Sequence, residues 1–346
     1  MKPINKCFIV LIFSGSNLFY SCIDDNITPP LTGDLGNTEE MLVYFEEQGD
    51  FVNSFLAPAL VNAEEVYSNL NSYLVIDIRR PEEFATGHIE GSINVQYDSL
   101  YDFLNNSDHS IYSKIILVSK NGQSSSYYTC LARLAGFDKV FTMNFGLASW
   151  NEFFADEWFN AIGNDPVIDT YINDAVSKNN FTNLPEVTFE NPDDPIETKT
   201  KERIKRIISE GFENGIQYKN NLFGTSNEYL VCYGSARLYY ARGEGPLAEL
   251  GHNASAAFYM SDPLYELRAV NSLQTLPVDN RIIAYDETGQ LSACVAAYLR
   301  VLGYDARTLL FGGNQLIYDR MIGDPDIGSF AFDITDIKNY PYVNGE

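Results

Sequence analysis

Cysteine and histidine are scarce in this chain, five of one and three of the other in 346 residues. Cys7 and Cys22 fall near the N-terminus, so only Cys130, Cys232 and Cys294 serve the body of the protein. An odd set of three is no disulfide framework. His88, His109 and His252 together with these scattered thiols give no zinc spacing. Positive charge is short too. Lys and Arg number 23 against 47 Asp and Glu, a net charge of −24, which leaves no basic footprint for a nucleic acid. Asp193-Asp194 and Asp286-Glu287 lack the spaced ligands and closing Glu of a calcium loop, and read as solvated acid. Gly243-Glu244-Gly245 is too short and acidic for a phosphate fingerprint. No metal and no cofactor is expected.

A long apolar run is also missing. The stretch from Cys7 to Tyr20 follows the basic start Met1-Lys2-Pro3-Ile4-Asn5-Lys6 but falls short of the roughly 20 residues that a spanning helix needs. It reads as a cleaved export signal over residues 1–21. Leu18-Phe19-Tyr20-Ser21-Cys22 looks like a bacterial lipobox with Cys22 as the lipid-bearing residue, although Phe19 and the bulky Tyr20 depart from that pattern. Residues 22–37, with Asp24-Asp25 and Pro29-Pro30, then form a tether. The acids after Cys22 resemble a surface-export signal of Gram-negative lipoproteins. The expected location is the cell envelope, with the membrane as partner through a lipid anchor.

What is present is a repeat. Val118-Ser119-Lys120-Asn121-Gly122-Gln123 follows the apolar run Ile115-Ile116-Leu117, and Tyr285-Asp286-Glu287-Thr288-Gly289-Gln290 follows Ile282-Ile283-Ala284. At an offset of 167, Gly122, Gly136 and Gly146 match Gly289, Gly303 and Gly313, and Arg133 and Asp138 match Arg300 and Asp305. Two copies of one domain therefore stand in tandem, over 38–160 and 198–346, with 161–197 as a Pro-containing connector crossing a surface. Tyr73-Leu74-Val75-Ile76, Ile115 to Val118 and Val140-Phe141 read as buried parallel strands. Tyr229 to Cys232, Ile282 to Tyr285 and Thr308 to Phe311 are their counterparts. Thr38 reads as a helix cap, and Asn62 with Glu65 makes a capping-box pattern. Cys294 falls on the helical stripe Leu291, Val295, Tyr298, Leu299, Leu302, so it reads as a core residue, as do Cys130 and Cys232.

Val75-Ile76-Asp77-Ile78-Arg79 through Gly87-His88-Ile89-Glu90-Gly91-Ser92 resembles the opening motif of rhodanese-like domains. Leu134-Ala135-Gly136-Phe137-Asp138 and Gly146-Leu147-Ala148-Ser149-Trp150 are similar to the closing motifs. In the second copy Gly251-His252-Asn253-Ala254-Ser255, Leu302-Gly303-Tyr304-Asp305 and Phe311-Gly312-Gly313 match, while Tyr233-Gly234-Ser235 replaces Asp-x-Arg. The resemblance implies two α/β/α domains, each around a parallel sheet of about five strands. Active members open a loop with a cysteine whose thiolate is wrapped in backbone N–H groups, which lowers its pKa and lets it hold a persulfide.

Here that position reads Ser119 in one copy and Asp286 in the other. A serine hydroxyl stays protonated and cannot store sulfane sulfur, and a carboxylate tends to fill the cradle or repel an anion. Neither is a catalytic residue in this reading, and the turn histidines His88 and His252 are structural. The expected function is a non-catalytic binding or scaffold module. Ser119, Lys120, Asn121, Gly122, Gln123, Ser124 and Ser125 are its candidate anion cradle, and its partner is a small anion or an exported protein. The alternative is a thiosulfate or persulfide sulfurtransferase that recruits an out-of-register thiol such as Cys232 or Cys130.

Overall fold

The computed structural model describes residues 36–165, 174–178, 180, 183–222, 227–240, 251–253, 255–260, 266–268 and 272–345. The expected export signal, Cys22, nearly all of the tether and Gly243-Glu244-Gly245 lie outside the described residues. Among the described residues, ten strands fall into two five-stranded sheets. In the first, β1 (Leu60–Val61), β2 (Tyr73–Asp77), β3 (Ile93–Asn94), β4 (Lys114–Val118) and β5 (Val140–Met143) lie in the order β1-β5-β4-β2-β3. In the second, β6 (Ile216–Gln217), β7 (Glu228–Tyr233), β8 (Ala256–Tyr259), β9 (Arg281–Tyr285) and β10 (Ala306–Leu309) repeat that order as β6-β10-β9-β7-β8. Every pairing between these strands is parallel. Central strands such as Ile115–Val118 and Ile282–Tyr285 are covered on both faces, which is why they read as unbroken apolar runs.

The registers fix how the halves correspond. Asp77 pairs with Val118 and Cys232 with Tyr285, the residues just before the two loops. Asp77-Ile78-Arg79 is therefore replaced by Cys232-Tyr233-Gly234, one residue earlier than the sequence comparison places it. The offset of 167 also fails late in the repeat. Phe137 N–H reaches Ala132 O and Tyr304 N–H reaches Leu299 O, but Ile115 N–H then meets Lys139 O where Ile282 N–H meets Asp305 O. One residue is missing from the second helix-to-strand turn, so Gly146 corresponds to Gly312 rather than Gly313. The last strand ends at Leu309, two residues before its expected end, because Phe311 turns the chain with φ 59°.

Asp34–Glu346 makes one body, and its largest apolar cluster runs through both halves. Tyr127, Cys130 and Leu131 of the helix Gln123–Leu134 share that cluster with Cys294, Ala297 and Tyr298 of the helix Gln290–Val301. The chain also crosses back. Although assigned to the second half, the C-terminal segment packs on the first: Val343 and His88 exchange backbone hydrogen bonds, and Tyr340 stacks on Tyr67 at 4.0 Å. Of the connector, Val187 and Phe189 are buried. Thr38 lies inside the helix Asn37–Glu47 and donates to Pro185 O instead of capping. Asn62 caps through its backbone position alone, and Glu65 accepts from Tyr73 Oη and Lys114 Nζ.

Candidate functional site

Both loops sit at the C-terminal ends of central strands, where a parallel sheet presents its ligand crevice. In the first, Gly122 adopts φ 86° and launches the helix Gln123–Leu134. Ser119 is buried beneath that turn. Its Oγ accepts from Gly122 N–H at 3.1 Å and Ser125 N–H at 3.3 Å, and donates to Ser125 Oγ at 3.1 Å. Ser125 Oγ in turn lies 2.8 Å from Thr142 Oγ1. Asn121 Oδ1 takes the Gln123 N–H at 3.1 Å. Three backbone donors of the loop, on Gly122, Gln123 and Ser125, are therefore engaged inside it, where the expected cradle has them open to an anion.

The second loop is built on the same plan and sealed more firmly. Asp286 Oδ2 accepts from Thr288 N–H at 3.0 Å and Thr288 Oγ1 at 2.9 Å. Its Oδ1 accepts from Ser292 N–H at 3.1 Å and Ser292 Oγ at 2.6 Å. The carboxylate occupies the seat that Ser119 has in the first loop and takes four donors. Beside it Glu287 stands where the first half has Lys120. Burial first, and the Asp286 charge second, push the Glu287 carboxyl above the usual range. Glu287 Oε1 accepts the Ser235 N–H at 2.9 Å, and a Cβ on Gly234 would lie 2.9 Å from Oε2. Losing the arginine of Asp-x-Arg thus makes room for that carboxyl.

The two loops also lock into each other. Gln290 Oε1 accepts the N–H of Phe145 at 2.8 Å, and Gln123 Oε1 accepts the N–H of Phe311 at 2.9 Å. Phe145 and Phe311 are counterparts at the later offset of 166. Gln290 Nε2 further donates to Gly122 O, Ser126 Oγ and Met143 O at 3.2 to 3.4 Å. Gln123 Nε2, equally buried, has no partner among the described residues, and Ala293 stands where the first half has Ser126, one of the three acceptors that Gln290 Nε2 uses. Gly122 and Gly289 are needed twice over: for their positive φ, and because a Cβ at either would lie 2.6 Å from the opposing glutamine. The repeated Gly-Gln pair was the visible signal for this exchange, but its partners lie far away in sequence.

A cavity of about 680 Å³ opens beside the first loop, between the halves. Ser119, Lys120, Asn121 and Ser124 form one edge, and Tyr97, Tyr128, Phe212, Glu213 and Tyr218 stand among the other lining residues. Lys120 Nζ lies 3.3 Å from Asp156 and 3.2 Å from Glu157. Burial opposes its charge, but Glu157 and then Asp156 raise its pKa. Across the cavity Arg79 is tied to Asp77 at 2.6 Å and to Gly87 O at 2.7 Å. Asp156 and Glu157 carried no motif and escape sequence reasoning.

The thiols lie elsewhere. Cys130, Cys232 and Cys294 are each fully buried, and none takes part in the hydrogen bonds around Ser119 or Asp286. Burial pushes the Cys130 thiol well up, helped by its contact with Cys294 across the two helices. Cys232 is raised by burial and then by the Glu287 charge. His88 Nδ1 is 2.9 Å from Phe84 O with its ring stacked on Phe84. His252 repeats this arrangement on Tyr239, with Nδ1 2.7 Å from Tyr239 O. Among the described residues no group of His, Cys, Asp and Glu gathers as a metal-ligand set.

Residues 62–153 match the rhodanese-like domain family. A thiosulfate sulfurtransferase GlpE of Ectopseudomonas mendocina is 34% identical over 95 residues, 28% of this chain and 84% of that protein. Another, from Pseudomonas aeruginosa, is 32% identical over 80 residues, 23% of this chain and 71% of its own length. The crystal structure of a thiosulfate sulfurtransferase from Pseudomonas aeruginosa covers 79% of this chain and 46% of that one, at 16% identity and a TM-score of 0.28.

Proposed function

The chain belongs to the rhodanese-like family, and on that premise we propose that it is a tandem module kept for binding rather than for sulfur transfer. The observation that carries this reading is the occupancy of the two loops. Ser119 Oγ and the Asp286 carboxylate each receive the amides that would otherwise stabilise a thiolate. Neither side chain forms a persulfide, because one is a hydroxyl of high pKa and the other carries no nucleophilic sulfur. Thiols raised in pKa by full burial do not substitute for one. The glycines that shape both loops remain, so the backbone is maintained while the chemistry is not. The cavity at the mouth of the Ser119 loop is the binding site. The chain is held at the cell envelope by a lipid on Cys22.

Purified protein is expected to show no transfer of sulfur from thiosulfate to cyanide. Robust turnover, lost on replacing Ser119 or any native cysteine, would overturn the reading. For the anchor, labelling of cells with a fatty-acid analogue should mark the protein and fail to mark Cys22→Ala. Equal labelling of both would place the lipid elsewhere.

A further inference from the structure

We propose that the cavity beside the Ser119 loop takes a small organic cation, an ammonium group carried on an apolar or aromatic body, and not an oxyanion. This rests on the binding reading above and names the class of its ligand.

Three features of the cavity lead there. The first is the state of the donors. Gly122 and Ser125 N–H point at Ser119 Oγ, and Gln123 N–H points at Asn121 Oδ1. An incoming anion would have to displace these contacts.

The second is the balance of charge. Among the described residues, three cations stand on the wall and each already has a carboxylate: Arg79 has Asp77 at 2.6 Å, Arg80 has Glu83 at 3.2 Å, and Lys120 has both Asp156 and Glu157. Lys120 is thus shared by two acids, which leaves that corner negative. Glu213, on the same cavity, meets among the described residues only the Tyr218 hydroxyl, at 3.4 Å. It has a carboxylate with no cation of its own. The field of a chain with net charge −24 adds to this local sign.

The third is the wall. Tyr97 and Tyr128 stack with centroids 5.5 Å apart and an interplanar angle of 15°, and Tyr128 is fixed by accepting the Phe212 N–H at 2.9 Å. Tyr218 stands half exposed at the rim. Ring faces attract cations through their quadrupole, most strongly when water is excluded. The volume suits a drug-sized or smaller molecule, since such sites run from about 300 to 1,000 Å³. Carboxylates and the exposed tyrosines Tyr97 and Tyr218 on the wall of a cavity whose described cations are already paired select for positive charge.

The test uses the full chain and five probes: benzylamine, benzyltrimethylammonium, benzoate, thiosulfate and inorganic phosphate, with binding read by saturation-transfer NMR and titration calorimetry. The two cations should bind and compete with each other, while benzoate, of the same ring and opposite charge, and the inorganic anions should not. Glu213→Gln should weaken cation binding roughly twofold to fivefold, the range of an exposed charge contact. Tyr218→Ala, at the rim and outside the packed core, should weaken it by a similar factor. Binding of benzoate or thiosulfate equal to that of the cations, absence of cation binding, or cation affinity indifferent to both variants would overturn the proposal. Each of these results leaves the absence of sulfur transfer standing, and turnover in the cyanide assay would sink that reading whatever the cations do.

Discussion

The two loops share a backbone and differ in how they were closed. Ser119 and Asp286 occupy equivalent positions, and Ser125 and Ser292 answer them through equivalent hydroxyls that reach Thr142 and Thr308. Yet the first seat holds a neutral hydroxyl with a cavity open beside it, and the second a carboxylate saturated by four donors. Their neighbours follow suit. Lys120 faces Glu157 and Asp156 at the cavity, whereas Glu287 in the same place is buried against Gly234. On the binding reading proposed above, such a loop is retired in two ways, by a neutral hydroxyl in the seat or by a carboxylate built into it. The first leaves room for a ligand and the second does not.

The largest effect expected is on stability at the two seats. Asp286→Ala strands two buried amides and two hydroxyls and should cost about 3 kcal/mol, against about 1 kcal/mol for Ser119→Ala, as measured by urea unfolding. Equal costs would show that the second loop gains nothing from its built-in carboxylate. The next concerns pH. The folded-state pKa of Glu287 is raised, so its protonated form is favoured by the fold. Its contribution is fully present below the unfolded value of 4.5 and is lost as pH rises through the higher folded value. Glu287→Gln, which keeps an acceptor for Ser235 N–H, should therefore raise stability above that window and flatten its pH dependence. A variant less stable than the native chain at pH 7 would mean the charged carboxylate is held favourably. The smallest effect is at the lock between the loops. Ala293→Ser restores in the second half the hydroxyl that Ser126 supplies in the first, and should give the orphaned Gln123 amide a partner worth about 0.5–1 kcal/mol. No gain would show that Gln123 Nε2 is already satisfied.

Much of this was legible from sequence, for identifiable reasons. Parallel strands covered on both faces leave continuous apolar runs, so Ile115–Val118 and Ile282–Tyr285 announced themselves. Glycines with positive φ marked both loops and revealed the repeat. What stayed hidden depends on contacts between distant residues. Gln123 reads from sequence as part of an anion cradle and Gln290 only as its repeat counterpart, but each closes the opposite loop. The missing residue in the turn after Tyr304 shifted the late register and could only be placed by the backbone ladder. Nothing periodic in Tyr340-Pro341-Tyr342 showed that the end of the chain would pack on Tyr67, Trp150 and Phe153 of the first half. The donors of 119–125 read from sequence as a cradle, but the engagement of Gly122, Gln123 and Ser125 N–H by Ser119 and Asn121 is a matter of geometry that residue type does not show.

The most direct measurement is the intact mass of the native protein after incubation with excess thiosulfate under non-reducing conditions, followed by peptide mapping. An unchanged mass is the expected result, with Cys130, Cys232 and Cys294 recovered as free thiols. A gain of one sulfur atom on any of these cysteines, removed by cyanide, would contradict the central claim that neither half keeps a seat for sulfane sulfur.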